Sequence, residues 1–187
     1  MNETDIINAT RKWVEDVVMG YNLCPFAKRE LVRNRVRFVV SEAETEDDLL
    51  HALHSELQRL DDELEIETTL LIHPAVLQDF GPYNEFLDAA DSLLAYLEME
   101  GVYQIASFHP DYQFEGTEPD SAENYTNRSP FPMLHLLREA SLEAAIDSYP
   151  DVEGIPDRNI ELMEKLGAEK MREILASCLK NPSGSGE

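Results

Sequence analysis

The sequence predicts an α/β fold: a single domain over residues 1–180, with a small, mainly parallel β-α-β-α-β sheet flanked by helices. Three observations carry this expectation. Over residues 35–109 the apolar pattern changes back and forth between a period of two and a period of about 3.6. The links are short and each crossover holds one helix, which favours parallel strands with right-handed connections. Hydrophobic residues make up 43% of the 187, close to the globular norm and enough for a core.

The elements follow in order. Residues 5–19 read as a helix, with Ile6, Trp13, Val14, Val17 and Val18 on one side and Gly20 as its stop. Arg35 to Val40 reads as a strand with one polar face, which suggests a sheet edge. Thr45 followed by Asp48 resembles a capping box and opens a helix to about Leu60, with a stripe of Leu49, Leu50, Leu53, Leu57 and Leu60. Glu67 to His73 is a strand buried on both faces, given the run Leu70-Leu71-Ile72. Pro82 starts a helix whose apolar positions run from Tyr83 to Leu97. Gly101 ends that region, and Val102 to Phe108 is the third strand. A fourth strand is expected near Tyr112–Glu115. Two more helices are expected at about 132–147 and 157–179, the latter broken near Gly167. The end, Asn181 to Glu187, reads as a flexible tail.

Two of the strands stop at the same dipeptide, His73-Pro74 and His109-Pro110. On parallel strands both imidazoles reach the carboxyl edge of one sheet, where open α/β folds build ligand sites. Neighbouring strand ends lie about 5 Å apart, so the two rings would flank one substrate or share a metal ion, with Asp111 as a hard third ligand. Such a set suits zinc or iron. Against that, a histidine at a strand end often makes one hydrogen bond to a loop, and no His-x-His or His-Glu-x-x-His spacing is present.

The second His-Pro opens a polar segment from Asp111 to Pro130. Loops of that length are functional lids or disordered. Tyr112, Phe114 and Tyr125 argue for an ordered loop packed on the body. Asn127-Arg128-Ser129-Pro130 leads into the expected helix from Pro132, with Ser129 as its cap and Arg128 near its amino end, a combination that holds anions. His135 and Arg138, spaced i and i+3, would continue one face of that helix towards the same place. The alternative is that Arg128 pins the acidic loop through Asp120 or Glu118.

Cys24 stands in Asn22-Leu-Cys-Pro-Phe-Ala27, with Lys28 and Arg29 after it. At a helix start beside cations its pKa would fall and the thiol would be a nucleophile. The structural alternative is a buried packing residue, which Cys178 is expected to be. The segment shares Cys-Pro-Phe with glutaredoxins, but Ala27 replaces the resolving cysteine and a helix precedes it in place of a strand. His51 and His54, also i and i+3, lack a third ligand and read as a solvated face with an Asp47–His51 pair.

The chain carries 38 acidic and 15 basic residues, a formal charge of -23. Such a field repels phosphate backbones and anionic lipid, so nucleic acid and membranes are poor partners. Lys28, Arg29, Arg33, Arg35 and Arg37 form a positive island that would either hold a small anion or pair with acidic helices. No signal-peptide pattern and no apolar run near 20 residues appear, so a cytoplasmic chain with reduced thiols is expected.

The segments Asn22 to Ala27, Ser107-Phe-His-Pro-Asp-Tyr-Gln-Phe114 and Asn127-Arg-Ser-Pro-Phe-Pro-Met-Leu-His-Leu-Leu-Arg138 resemble those of a bacterial family of about this length, described only as a domain of unknown function (DUF1415). The resemblance spans nearly the whole chain. It implies a stand-alone cytoplasmic protein and three segments that act as one unit, and it supplies no mechanism. Taken together, the residues predict an enzyme of the hydrolase or group-transfer kind, or a binder of a small anionic molecule. Cys24, His73, His109 and His135 would be catalytic, and Tyr112, Asn127, Arg128, Ser129 and Arg138 would bind the ligand. The alternative is a non-catalytic acidic adaptor that meets a basic partner. No Gly-rich dinucleotide or phosphate loop is present, and the oligomeric state is not legible.

Overall fold

A computed structural model describes residues 1–180; the tail expected at 181–187 lies outside the described residues. Helix α1 (Glu3–Trp13) widens into a π-helical turn (Val14–Met19), and a short α2 (Ala27–Val32) follows. Then come β1 (Val36–Val40), α3 (Glu46–Asp62), β2 (Thr68–Ile72), α4 (Phe80–Tyr96) and β3 (Tyr103–Phe108). A 3-10 turn (Ala122–Thr126) precedes β4 (Met133–Arg138), and α5 (Glu139–Asp147), α6 (Ile155–Leu166) and α7 (Ala168–Leu179) complete the chain.

The fold class is mixed α/β, as the sequence predicts, but the sheet is not mainly parallel. Its order is β1-β2-β4-β3. β1 and β2 pair in parallel, whereas β4 runs antiparallel to both β2 and β3. The three early strands do point the same way, yet β2 and β3 are not neighbours, because β4 lies between them. This is a split β-α-β unit. β4 occupies the first half of the segment expected to be one helix, and only α5 is helical there. No strand forms at Tyr112–Glu115. β1 is an edge strand, as its polar face suggested.

Each face of the sheet has its own core. Leu71, Leu134, Leu136 and Tyr103 pack with α3 and α4. Leu49, Leu53, Leu57 and Leu60 of α3 are fully buried there, matching the expected stripe, and Thr45 caps the helix by accepting from the Asp48 amide. On the other face Leu70, Ile72 and Met133 pack with Trp13, Val17, Met163, Met171 and Cys178 from α1, the π turn, α6 and α7. Gly167, at φ 81, breaks α6 from α7 where a break was expected. The basic island goes largely to ion pairs. Arg37 meets Glu56 of α3 through two donors, at 2.6 and 3.0 Å, and Arg35 meets Glu30 and Glu67.

Arg138 closes β4 at the amino ends of β2 and β3. Its guanidinium donates to the carbonyls of Leu60 and Glu63, at the end of α3, and to that of Ile66. It also donates to the Tyr103 hydroxyl at 3.1 Å, which in turn donates to Asp61. A cation among the last carbonyls of a helix is favourable. Replacing it in Arg138→Met removes these bonds at a partly solvated site, and a loss of about 1–3 kcal/mol is expected in urea unfolding.

Candidate functional site

The two His-Pro strand ends do meet at one edge, through an intermediary the sequence reading treated only as core. β2 ends at Ile72 and β3 at Phe108, both facing the α6–α7 layer, so alternation turns His73 and His109 to the opposite face, towards α4. There Tyr83, in the first turns of α4, lies against both rings. Its centroid is 5.8 Å from that of His73, nearly parallel, and 4.9 Å from that of His109. The Tyr83 hydroxyl donates to Met133 O at 2.8 Å and accepts from the Phe108 amide at 3.0 Å. One phenol thus ties the end of β3 to the start of β4. Phe80 packs on His109 and on Tyr112 at 5.5 and 5.0 Å. Tyr83 was legible as unusual: a phenol in an otherwise apolar buried stripe needs a hydrogen-bond partner.

The hydrogen bonds fix both tautomers. His109 Nδ1 accepts from the Asp111 amide at 3.0 Å, so Nε2 carries the proton and donates to Leu77 O at 3.2 Å. Leu77 has φ 55, a rare backbone for a bulky residue, and this conformation delivers its carbonyl to the imidazole. His73 is the reverse. Nδ1 lies 3.0 Å from Val76 O and must donate to it, which leaves the lone pair on Nε2. That atom is buried and has no partner. Both residues are fully buried. Burial holds the His73 pKa down at about 4, with the neighbouring His109 acting in the same direction. Burial also lowers that of His109, against the carbonyl of Leu77 and the charge of Asp111.

The segment after the 3-10 turn straps this edge. The His109 amide donates to Asn127 O and the Ser129 amide donates to His109 O. Asn127 Nδ2 reaches Ser107 O at 3.2 Å, and the His73 amide donates to Pro132 O. Ser129 caps no helix, because none begins there; its hydroxyl donates to Phe131 O at 2.7 Å. Arg128 does fasten the long loop, but through carbonyls and not through Asp120 or Glu118. Nε donates to Tyr112 O at 3.1 Å and Nη2 to Pro119 O at 2.7 Å, with the guanidinium over the Tyr125 ring. Buried Asn124 gathers the same loop: its carbonyl oxygen accepts from the Phe114 amide and the Thr117 hydroxyl, and its amide donates to Glu118 O.

Four expectations need correction. The metal set His73, His109 and Asp111 is not assembled: both ring nitrogens of His109 are engaged, and no group of three or more His, Cys, Asp or Glu among the described residues is placed to hold a metal ion. His135 and Arg138 share no helical face, since on a strand residues i and i+3 point to opposite sides. His135 faces the α6–α7 layer beside Phe108, 6.1 Å between centroids. Its Nε2 lies 2.7 Å from the Thr68 hydroxyl, which itself donates to Leu136 O, so Nε2 is protonated; burial takes its pKa down to about 4. Arg138 sits at the far end of β4 and is absent from this edge. Cys24 is not activated either. Burial raises the thiol pKa, and the amides of Phe26 and Ala27, which act oppositely, do not offset it. The adjacent Leu23 belongs to the core on the α6–α7 face, so the Cys24 segment stands apart from the two imidazoles.

Among the described residues no helix is long and apolar enough to cross a membrane. Residues 5–173 match the model of a family described as a protein of unknown function, DUF1415. A comparison with curated proteins gave no match, and neither did one with solved structures.

Proposed function

We propose that this chain, which belongs to the DUF1415 family of proteins of unknown function, binds a small anionic molecule at the carboxyl edge of its sheet and acts on it by hydrolysis or group transfer. The observation that carries the reading is His73 Nε2, a fully buried lone pair without a partner. Buried polar atoms are nearly always satisfied, and exceptions concentrate where a ligand, water or ion belongs. At neutral pH this imidazole is uncharged and offers an acceptor to a hydroxyl or amine proton. An anion brought beside it favours the imidazolium and raises its pKa towards neutrality, so binding itself would equip His73 for proton transfer.

Arg128 supplies the complementary charge in this reading. Among the described residues it makes no ion pair with a carboxylate, although the chain has 38 of them. It is held by carbonyls in the loop that leaves His109. Because His73 is fully buried, entry requires this edge of the sheet to open locally. The adaptor alternative draws on the exposed carboxylates of the same loop, Asp111, Glu115, Glu118 and Asp120, and leaves the partnerless Nε2 without a role.

The test is a proton NMR titration of the His73 ring against inorganic phosphate and, separately, acetate. Saturable shifts of the ring signals and a raised His73 pKa are expected, both weakened by Arg128→Gln. Ring signals that ignore both anions would sink the proposal. So would an unchanged response in Arg128→Gln together with a His73→Gln variant that binds as well as the natural chain.

A further inference from the structure

A partly open recess of about 190 Å³ lies in the α6 layer, apart from the two imidazoles. One wall is the turn after the π-helical segment. Gly20 donates to Glu15 O at 3.0 Å, five residues back, and a Cβ on Gly20 would lie 2.2 Å from Asp16 O, so only glycine lets the chain leave the π turn this way. Asn22 then adopts φ 55. The opposite wall is the first turns of α6, with Arg158, Asn159 and Leu162. Asn159 Nδ2 donates to Leu23 O at 2.9 Å and fastens the two walls together. Tyr149 meets Phe26 edge-on at 5.8 Å and closes a third side. Left-handed non-glycine residues cluster at functional sites, and here Asn22 forms part of one wall, directly after a π-helical turn.

Arg158 is the one ionised side chain among the described residues that line it. Asp151 holds it through a carboxylate oxygen and its carbonyl. The pair lies directly over Gly154, where a Cβ would come within 2.7 Å of both side chains. Of the five guanidinium N–H donors, the two bonds to Asp151 leave three free. Pro25 and Leu162 give the recess apolar surface, while the amides of Asn22 and Asn159 offer polar atoms. A cavity of roughly 150 Å³ accepts a benzene-sized body, and a guanidinium recognises a carboxylate through paired donors.

We propose that this recess is a binding site for a small carboxylic acid with an apolar body, anchored by Arg158. It is independent of the sheet-edge reading. In a chain of charge -23 the general field repels such an anion, so binding there requires the local cation.

The probe is benzoate, with benzyl alcohol as the uncharged control, titrated into the full chain and followed by amide chemical shifts. Benzoate is expected to move the amides of Asn22, Arg158 and Asn159 saturably, with benzyl alcohol about tenfold weaker or worse. Arg158→Gln is expected to weaken benzoate about tenfold. Asn22→Asp keeps a residue that tolerates a left-handed backbone, adds a negative charge at the wall, and should weaken benzoate similarly; it decides the matter if Arg158→Gln does not fold. His73→Gln should leave the titration unchanged, which separates this site from the sheet edge. The proposal is overturned if benzoate leaves these amides unmoved, if benzyl alcohol binds equally well, or if both cleft variants bind benzoate like the natural chain.

Discussion

Acidifying the protein from neutrality to about pH 4 is expected to remove roughly 3 kcal/mol of stability through His73 alone. In the unfolded chain this imidazole titrates near 6.5, whereas burial holds it at about 4 in the folded one. Above 6.5 both states are neutral and the group has no effect. Between 6.5 and about 4 only the unfolded chain takes up the proton, so stability falls as pH falls, and below about 4 the loss is complete. His135 is held down to a similar value by burial; it retains some exposed surface, so its share is smaller. The acidic surface works in the opposite direction, because protonating carboxylates on a chain of charge -23 relieves self-repulsion. The decisive quantity is therefore the difference between the natural chain and His73→Gln. Urea unfolding at pH 7.5, 5.5 and 4.5 should show a steeper decline for the natural chain. Parallel declines would mean that His73 takes up its proton in the folded state near the ordinary pH.

Tyr83→Phe is expected to destabilise the fold by about 2–6 kcal/mol, although it removes a single oxygen. That oxygen accepts from the Phe108 amide and donates to Met133 O, and Tyr83 is fully buried. Losing it orphans a main-chain donor and a main-chain acceptor at once, each worth about 1–3 kcal/mol when left unsatisfied. The effect should also be local. Hydrogen exchange of the Phe108 and His109 amides should accelerate more than that of the α3 amides. A variant as stable as the natural chain would show that water replaces the hydroxyl between the two strands.

Helices α1, α3, α4, α6 and α7 and the first three strands were legible from their apolar patterns: the α3 leucines, the alternation from Val36 to Val40, the buried run from Leu70 to Ile72. β4 was not. Met133-Leu-His-Leu-Leu-Arg138 is a short, nearly continuous apolar run, and such runs do not distinguish a buried strand from a helix by periodicity. A true helix begins at Glu139 with no break, so its pattern blended into the strand's. The missed strand then misplaced its residues: Ser129 lost its helix to cap, and His135 and Arg138 went to opposite sides and ends. That His73 and His109 share one sheet edge was legible from strand direction, since all three early strands point the same way; their expected spacing of neighbouring strands was not, because β4 lies between β2 and β3 and Tyr83 lies against both rings. The tautomers were not, because they depend on the carbonyls of Val76 and Leu77, and no side chain announces those.

The late arrival of β4 has a consequence for how the chain is made. β2 and β3 both leave the ribosome before the strand that joins them. Until residues 133–138 emerge, each presents an unpaired hydrogen-bonding edge, and such edges recruit other chains. The long segment between β3 and β4 also sets a slow step, because non-local strand pairing follows loop closure. The nascent protein thus passes through a stage in which most of its helices exist but its sheet is still in two pieces. Release from that stage comes only with the final third of the chain.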